Sequence, residues 1–96
     1  MSWNVILSLK VVHVLDRQRP ELRKEALMYV RKLSDDPHAW STALPTPPYP
    51  TGLRAVEFYI DLQVEGEPIV ETVMVRLVIE LHATQRRVDI LLVEFE

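Results

Sequence analysis

Acidic side chains in the stretch 57–65 form the most regular set of groups able to do chemistry. Glu57, Asp61 and Glu65 recur every four residues, so on a strand they would share one face, because successive strand side chains point to opposite faces. Neighbouring carboxylates on that face would lie ~13 Å apart. A catalytic acid and its partner base lie closer than that, so the spacing predicts an acidic surface unless another strand contributes a group.

The histidines and one polar turn give weaker evidence of a chemical site. His13, His38 and His82 are widely separated, and the chain has no cysteine. They lack both the i,i+4 helical pairing and the cysteine partners of common zinc sites. The polar cluster 34–38 is confined to one turn, whereas hydrolytic triads assemble from distant segments. We predict surface, packing or turn roles for these residues, with no metal site and no cofactor.

Length and composition bound the fold. The 96 residues are enough for one domain, predicted over 1–96, and the two glycines leave no glycine-rich phosphate loop. The absence of cysteine excludes disulfides and thiol catalysis. The N-terminal residues lack a secretory signal, and no apolar run reaches the ~18 residues that span a bilayer. We therefore expect a cytoplasmic protein with no membrane partner.

Charge is distributed unevenly along the chain. Residues 1–52 carry seven basic and five acidic side chains, whereas residues 53–96 carry four and nine, within a net charge of −3. A nucleic-acid surface needs clustered lysine and arginine to displace counterions. We therefore expect no nucleic-acid partner.

Apolar periodicity predicts the elements of the N-terminal half. Alternation favours a strand over 3–9, while residues 10–16 fit either a strand or a short helix. Pro20 suits a first helical position, and helical spacing of apolar residues continues to Leu33 before Pro37 ends the helix. One strand and one or two helices are thus predicted before the proline-rich segment and the C-terminal half.

A proline-rich segment, 44–50, links the two halves. Its four prolines predict an extended polyproline II connector, anchored by Trp40 and Tyr49. Residues 45–48 also match the PxxP pattern that SH3-type domains bind, but such a short pattern arises readily by chance.

The C-terminal half reads as three strands. Between Val56 and Val64 one parity is wholly apolar, a second run ends at His82, and the last strand contains the run 90–93, apolar on both parities. Two-sided apolarity is typical of a central or dimer-covered strand, and short connections make the three strands an antiparallel meander. The predicted class is α+β, with the helix packed on one face of this three-stranded meander.

Apolar residues beyond the needs of the core are candidates for an interface. Some widen the apolar stripe of the helix, and others lie in the last strand. The candidate interface residues are Leu27, Met28, Leu91, Val93 and Phe95.

This order of elements resembles that of RelE/ParE-like toxins of bacterial toxin–antitoxin modules. The run Val75–Leu81, a polar turn and Val88–Val93 are similar to the family's Tyr-Arg-Leu-Val-Tyr strand and its following aliphatic strand. Pro20–Arg23 and Leu33–Pro37 are similar to the start and the Leu-x-x-x-Pro end of the family's helix. The resemblance implies a bacterial protein with an antitoxin-like partner segment that wraps its helix and sheet.

The resemblance also implies a possible catalytic residue. In the family's ribosome-dependent RNases, basic and aromatic side chains on the sheet orient and cleave mRNA, and an arginine stabilises charge at the phosphate. Arg76 matches that arginine. Active members carry lysines in the preceding strand, where this sequence has Glu57, Asp61 and Glu65, and the family's later arginine and tyrosine have no counterpart here.

Three functions follow, in order of preference. The first is a RelE/ParE-like protein that lacks RNase activity and acts by protein contact, as ParE-like members act on gyrase. The second is a small homodimeric interaction module with no toxic function. The third is a ribosome-dependent mRNA endonuclease in which Arg76 is catalytic. We favour a function that is not enzymatic.

Overall fold

A computed structural model describes residues 2–63 and 65–96. Val64, which the sequence pattern assigned to the first strand of the meander, lies outside the described residues. Five strands form one sheet in the order β1-β5-β4-β3-β2, with a single 3-10 turn, Ala83–Gln85, before β5. The elements are β1 (Asn4–Leu7), α1 (Leu9–Asp16), α2 (Pro20–Asp35), β2 (Thr42–Ala43), β3 (Leu53–Gln63), β4 (Val70–His82) and β5 (Arg87–Phe95).

The α+β class is confirmed, but the prediction of a three-stranded meander understated the sheet. Strands β3, β4 and β5 form the expected antiparallel meander. β1 joins it in parallel beside β5, from Asn4 opposite Arg87 to Leu7 opposite Ile90, so the sheet is mixed. β2 pairs antiparallel with the start of β3. Two residues are too few for β2 to show the alternation by which strands are recognised.

Residues 10–16, which fitted either a strand or a helix, are helical. The Ser8 hydroxyl caps α1 by accepting a hydrogen bond from the Val11 backbone N–H at 3.2 Å. Val11 and Leu15, four residues apart, are both buried, as expected for the inner face of an amphipathic helix. The cap and this spacing outweigh the weak helix propensity of the β-branched residues.

The predicted helix from Pro20 is confirmed as α2. Pro20 occupies its first turn, and Leu22, Ala26 and Leu33 are buried. The chain becomes extended at Asp36, immediately before Pro37, as the steric demand of proline requires. Neither this helix nor any other in the described ranges is long and apolar enough to cross a membrane.

Both helices pack on the same sheet face. Along β3 and β4 every second side chain is buried, and those side chains form one core cluster with the inner faces of α1 and α2. Within residues 2–63 and 65–96 no helix covers the opposite face. We call the outward-pointing residues of β3, β4 and β5 on that face the open face. The buried core comprises Val11, Leu15, Leu22, Ala26, Leu33, Val56, Phe58, Ile60, Leu62, Val73, Val75, Leu77, Ile79, Val88, Ile90 and Val93.

A β-bulge changes the facing of residues in β5. The register passes from Val78 opposite Leu92 to Ile79 opposite Ile90, which leaves Leu91 as the extra residue. Ile90 and Val93 are therefore both buried although they are three positions apart, while Leu91 is 40% exposed. The two-sided apolarity of this strand has two causes: β5 is central, and the bulge inverts its parity.

The segment 44–50 is a turn rather than the extended connector that its prolines predicted. The Tyr49 N–H donates to the Pro45 carbonyl at 3.0 Å, and the Leu44 N–H donates to the Leu53 carbonyl. Because β2 pairs back onto β3, the chain must reverse direction within this segment. Trp40 contacts the Tyr29 ring edge-on, at 6.2 Å between centroids, whereas Tyr49 is 41% exposed.

Candidate functional site

Most charged groups on the open face are carboxylates. Residues opposite one another in an antiparallel ladder share a face, so the register defines which side chains meet there. Among the described residues of β3, β4 and β5, this face has five acidic side chains and two arginines. The acidic residues are Glu57, Asp61, Glu80, Asp89 and Glu94, and the arginines are Arg76 and Arg87.

Arg76 lies between two of these acids. Glu57 is its partner in β3 and Glu94 its partner in β5. Its Nε is 3.7 Å from a Glu57 carboxylate oxygen, and this buried nitrogen has no hydrogen-bond acceptor within residues 2–63 and 65–96. Glu80 lies four positions further along the same strand, ~13 Å away, and the ion-pair partner of Arg76 is Glu57.

A cavity of about 540 Å³ opens beside Arg76 at the β2 edge of the sheet. Glu57, Tyr29 and Trp40 line it together with the segment 39–44. The cavity therefore combines one arginine, one carboxylate and two aromatic rings.

The wall of this cavity is held by a second arginine. Arg54 Nε donates to the Ser41 hydroxyl at 2.6 Å, and Nη2 donates to the Ser41 carbonyl at 2.9 Å. The Ser41 hydroxyl in turn donates to the Pro37 carbonyl. Arg54 is thereby committed to fixing the segment that follows α2.

A lysine on α2 is also engaged at this wall. Lys32 Nζ lies 4.3 Å from the Tyr29 ring centroid and 4.4 Å from that of Trp40, within the range of cation–π attraction. Tyr29 itself stacks on Phe58 at 3.7 Å. These aromatic contacts give Lys32 a structural role at the end of α2.

A second cluster lies at the far end of β4. His82 Nε2 is 2.8 Å from Glu80 Oε1 and 3.0 Å from Asp89 Oδ2. Arg87 donates to Asp89 through Nε at 2.9 Å and Nη2 at 3.2 Å. The contact of His82 with Asp89 was not predicted from the sequence, because Asp89 lies on the next strand. The available signal was the i,i+2 spacing of Glu80 and His82 opposite an acidic residue of the same hairpin.

The candidate interface residues do not form one group. Leu27 and Met28 are exposed on α2, and Leu91 is exposed on β5. Phe95 is partly buried against the core, and Val93 is 4% exposed. Val93 is thus a core residue, turned inward by the bulge, rather than part of a surface. For the others the interface role stays a prediction.

No protein-family model and no curated protein matches the sequence. Solved structures do match the fold. A chain of the RelBE2 toxin–antitoxin complex from Mycobacterium tuberculosis is 15% identical, with 100% of both chains covered and a TM-score of 0.73. A mutant of the E. coli toxin RelE in the free state is 14% identical, over 97% of this chain and 82% of that one, with a TM-score of 0.60. The predicted resemblance is confirmed at this level: the chain has the fold of RelE-type toxins.

Proposed function

We propose that this chain is a toxin–antitoxin protein of the RelE fold that acts by binding another protein and does not cleave RNA. The fold and the toxin–antitoxin assembly of one structural neighbour support the first part. One observation carries the second part: Arg76 lies in a row between Glu57 and Glu94 on an acidic open face.

Electrostatics oppose an RNA phosphate at this position. A phosphate placed against Arg76 also approaches Glu57 and Glu94, so the local protein charge that it meets is negative. Two unit charges 4 Å apart repel by about 1 kcal/mol in water and about 4 kcal/mol at an effective dielectric of 20. Two such repulsions exceed the attraction that a single arginine supplies.

No other lysine or arginine that the structure describes nearby adds positive charge to that of Arg76. Arg87 is bound to Asp89 by two nitrogens, and Arg54 is bound to Ser41. Lys32 lies over the Tyr29 and Trp40 rings. Apart from Arg76, which itself lies beside Glu57, the open face in the described part of the sheet therefore has no unpaired cation with which to orient an RNA backbone and stabilise charge in the transition state.

The same surface suits a basic protein segment. Lysine or arginine side chains of a partner would pair with Glu57, Asp61 and Glu94, which are exposed. Tyr59 is 68% exposed on the same face and offers apolar area between these charges. Aromatic area beside complementary charge is the composition of a protein-binding surface. An antitoxin-like segment is the partner that we infer.

Regulated expression in a bacterial host tests the proposal. Wild type, Arg76→Ala and Glu57→Lys with Asp61→Lys should all arrest growth. A short reading frame beside the gene, where present, supplies the candidate antitoxin. Its co-expression should restore growth with wild type and Arg76→Ala but not with Glu57→Lys and Asp61→Lys, because the reversed charges repel a basic antitoxin segment. Asp35→Lys with Glu21→Lys, two exposed acids on α2, is the matched control and should be neutralised like wild type.

Two results would contradict the proposal. A wild type that leaves growth unchanged removes the toxin function. Growth arrest that is lost in Arg76→Ala, together with translation-dependent mRNA cleavage by the wild type, identifies an RNase instead.

Homodimerisation is the second candidate function, supported by two adjacent exposed side chains. Leu27 is 43% and Met28 45% exposed on α2, and both line one shallow cavity. If the pair makes a dimer, light scattering gives twice the chain mass and Leu27→Asp gives the monomer mass. A monomeric wild type at high concentration removes this candidate.

A further inference from the structure

Two carboxylates converge on one imidazole nitrogen at the end of β4. His82 Nε2 lies within 3.0 Å of both Glu80 Oε1 and Asp89 Oδ2, and ligand atoms of the three residues all lie within 4.8 Å of one another. A single N–H is well aligned with one acceptor at a time, and in the other neutral tautomer a lone pair faces both carboxylates. A divalent cation satisfies all three groups together.

We propose that Glu80, His82 and Asp89 form a site for a divalent first-row transition metal ion such as Zn²⁺. This site does not depend on the toxin function. It lies on the open face but four strand positions from Arg76, ~13 Å along β4.

The geometry requires little rearrangement. Tetrahedral Zn²⁺ with bonds of ~2.0–2.1 Å places its ligand atoms roughly 3.3 Å apart. The His82 nitrogen is 2.8 and 3.0 Å from the two carboxylate oxygens, so these two pairs must separate by a few tenths of an ångström. The two carboxylate ligand atoms already lie within 4.8 Å of each other.

The sheet pre-organises the three ligands. Glu80 and Asp89 are opposite one another in the β4–β5 ladder, and His82 lies on the same face as Glu80, two residues further along β4. All three belong to one hairpin, closed by the turn Ala83–Gln85. The backbone therefore supplies most of the positioning that a metal site otherwise acquires on binding.

Arg87 orients one of the ligands. It donates to both oxygens of Asp89, in the manner of the outer-shell partners that fix metal-binding carboxylates. With neutral His82, the two carboxylates and Arg87 have a net charge of −1, which still attracts a cation. The side chains of Glu80, His82 and Asp89 are 36, 31 and 23% exposed, so an ion can enter and keep water in its remaining position.

The donor set selects the class of metal. Imidazole suits Zn²⁺, Ni²⁺, Co²⁺ and Cu²⁺, whereas Mg²⁺ and Ca²⁺ prefer oxygen ligands alone. One imidazole with two carboxylates fits a transition metal that accepts both nitrogen and oxygen. Excess Mg²⁺ should therefore not displace Zn²⁺.

Calorimetric titration of the whole chain with Zn²⁺ tests the proposal. The wild type should bind one equivalent saturably, with Mg²⁺ in excess. His82→Gln, Glu80→Gln and Asp89→Asn should each weaken binding by at least about tenfold, a loss that even outer-shell partners of metals produce. Co²⁺ should give visible d–d absorption with the wild type that is absent from His82→Gln.

The other two histidines provide matched controls. His13→Gln and His38→Gln change exposed histidines outside the cluster and should keep wild-type affinity. Circular dichroism checks the fold of each variant. Should His82→Gln not fold, the Zn²⁺ affinity of Glu80→Gln tests the proposal instead. The proposal is overturned if the wild type shows no saturable Zn²⁺ binding. It is equally overturned if the cluster variants bind as well as the wild type, or if His13→Gln loses as much affinity as they do.

Discussion

Arg76 and Glu57 face each other across the β3–β4 ladder, with the guanidinium Nε 3.7 Å from a carboxylate oxygen. Arg76 is therefore held beside an acid. Its neighbour in β5, Glu94, adds a second negative charge.

We expect Arg76→Ala to leave the free energy of unfolding within about 1 kcal/mol of wild type, because half-exposed ion pairs contribute little. We also expect no translation-dependent mRNA cleavage from either protein in a reconstituted translation reaction, measured by primer extension. Cleavage by the wild type that Arg76→Ala abolishes would establish the RNase function and exclude the proposed function by protein contact.

The core tolerates loss of volume poorly. Leu33 is fully buried, at 0% exposure, and Leu33→Ala should lower the free energy of unfolding by about 2–5 kcal/mol because a cavity remains. Leu27→Ala, the same change at an exposed position of the same helix, should stay within about 0.5 kcal/mol. Urea denaturation measures both. Equal losses would mean that α2 presents a different face to the sheet.

The start of α1 depends on one hydroxyl. Ser8→Ala removes the acceptor of the Val11 N–H and should lower the free energy of unfolding by about 1 kcal/mol. Ser8→Asp keeps an acceptor at the cap and should retain most of the stability. Ser2→Ala, outside any element, controls for the loss of a serine hydroxyl. An unchanged stability in Ser8→Ala would contradict the assignment of residues 10–16 to a helix.

The bulge in β5 leaves Leu91 exposed and Val93 buried, although the two residues are only two positions apart. Val93→Asp buries an unpaired charge and should lower the free energy of unfolding by about 3–5 kcal/mol. Leu91→Asp puts the same charge at the exposed bulge residue and should leave the protein folded. Thermal unfolding followed by circular dichroism compares them. If Leu91→Asp were the more damaging, Leu91 rather than Val93 would face the core, and the assignment of the bulge would be wrong.

Sequence patterns predicted the parts of the fold that local rules control. Helix α2 begins at Pro20 and ends before Pro37 for steric reasons that any chain obeys, and strict alternation from Val56 to Leu62 needs no tertiary information. The sequence did not reveal β2, the parallel pairing of β1 with β5 or the bulge at Leu91, because each depends on which strands meet.

The candidate site divides in the same way. The acidic positions of β3 were found from the sequence because they share one strand parity. Arg76 was found because it lies in a motif that resembles a known one. The pairing of Arg76 with Glu57, and the meeting of His82 with Asp89, depend on register between strands. Register follows from turn geometry and from burial of one face, which a single sequence reveals only in outline.

The pairing of Asn4 with Arg87 joins opposite ends of the chain, and this sets an order of folding events. Local hairpins such as β3–β4 and β4–β5 close short loops, whereas β1 must close nearly the whole chain before it pairs with β5. β1 therefore docks last and opens first. In native-state hydrogen exchange, the amide of Asn4, which donates to the Arg86 carbonyl, should lose protection before those of β4.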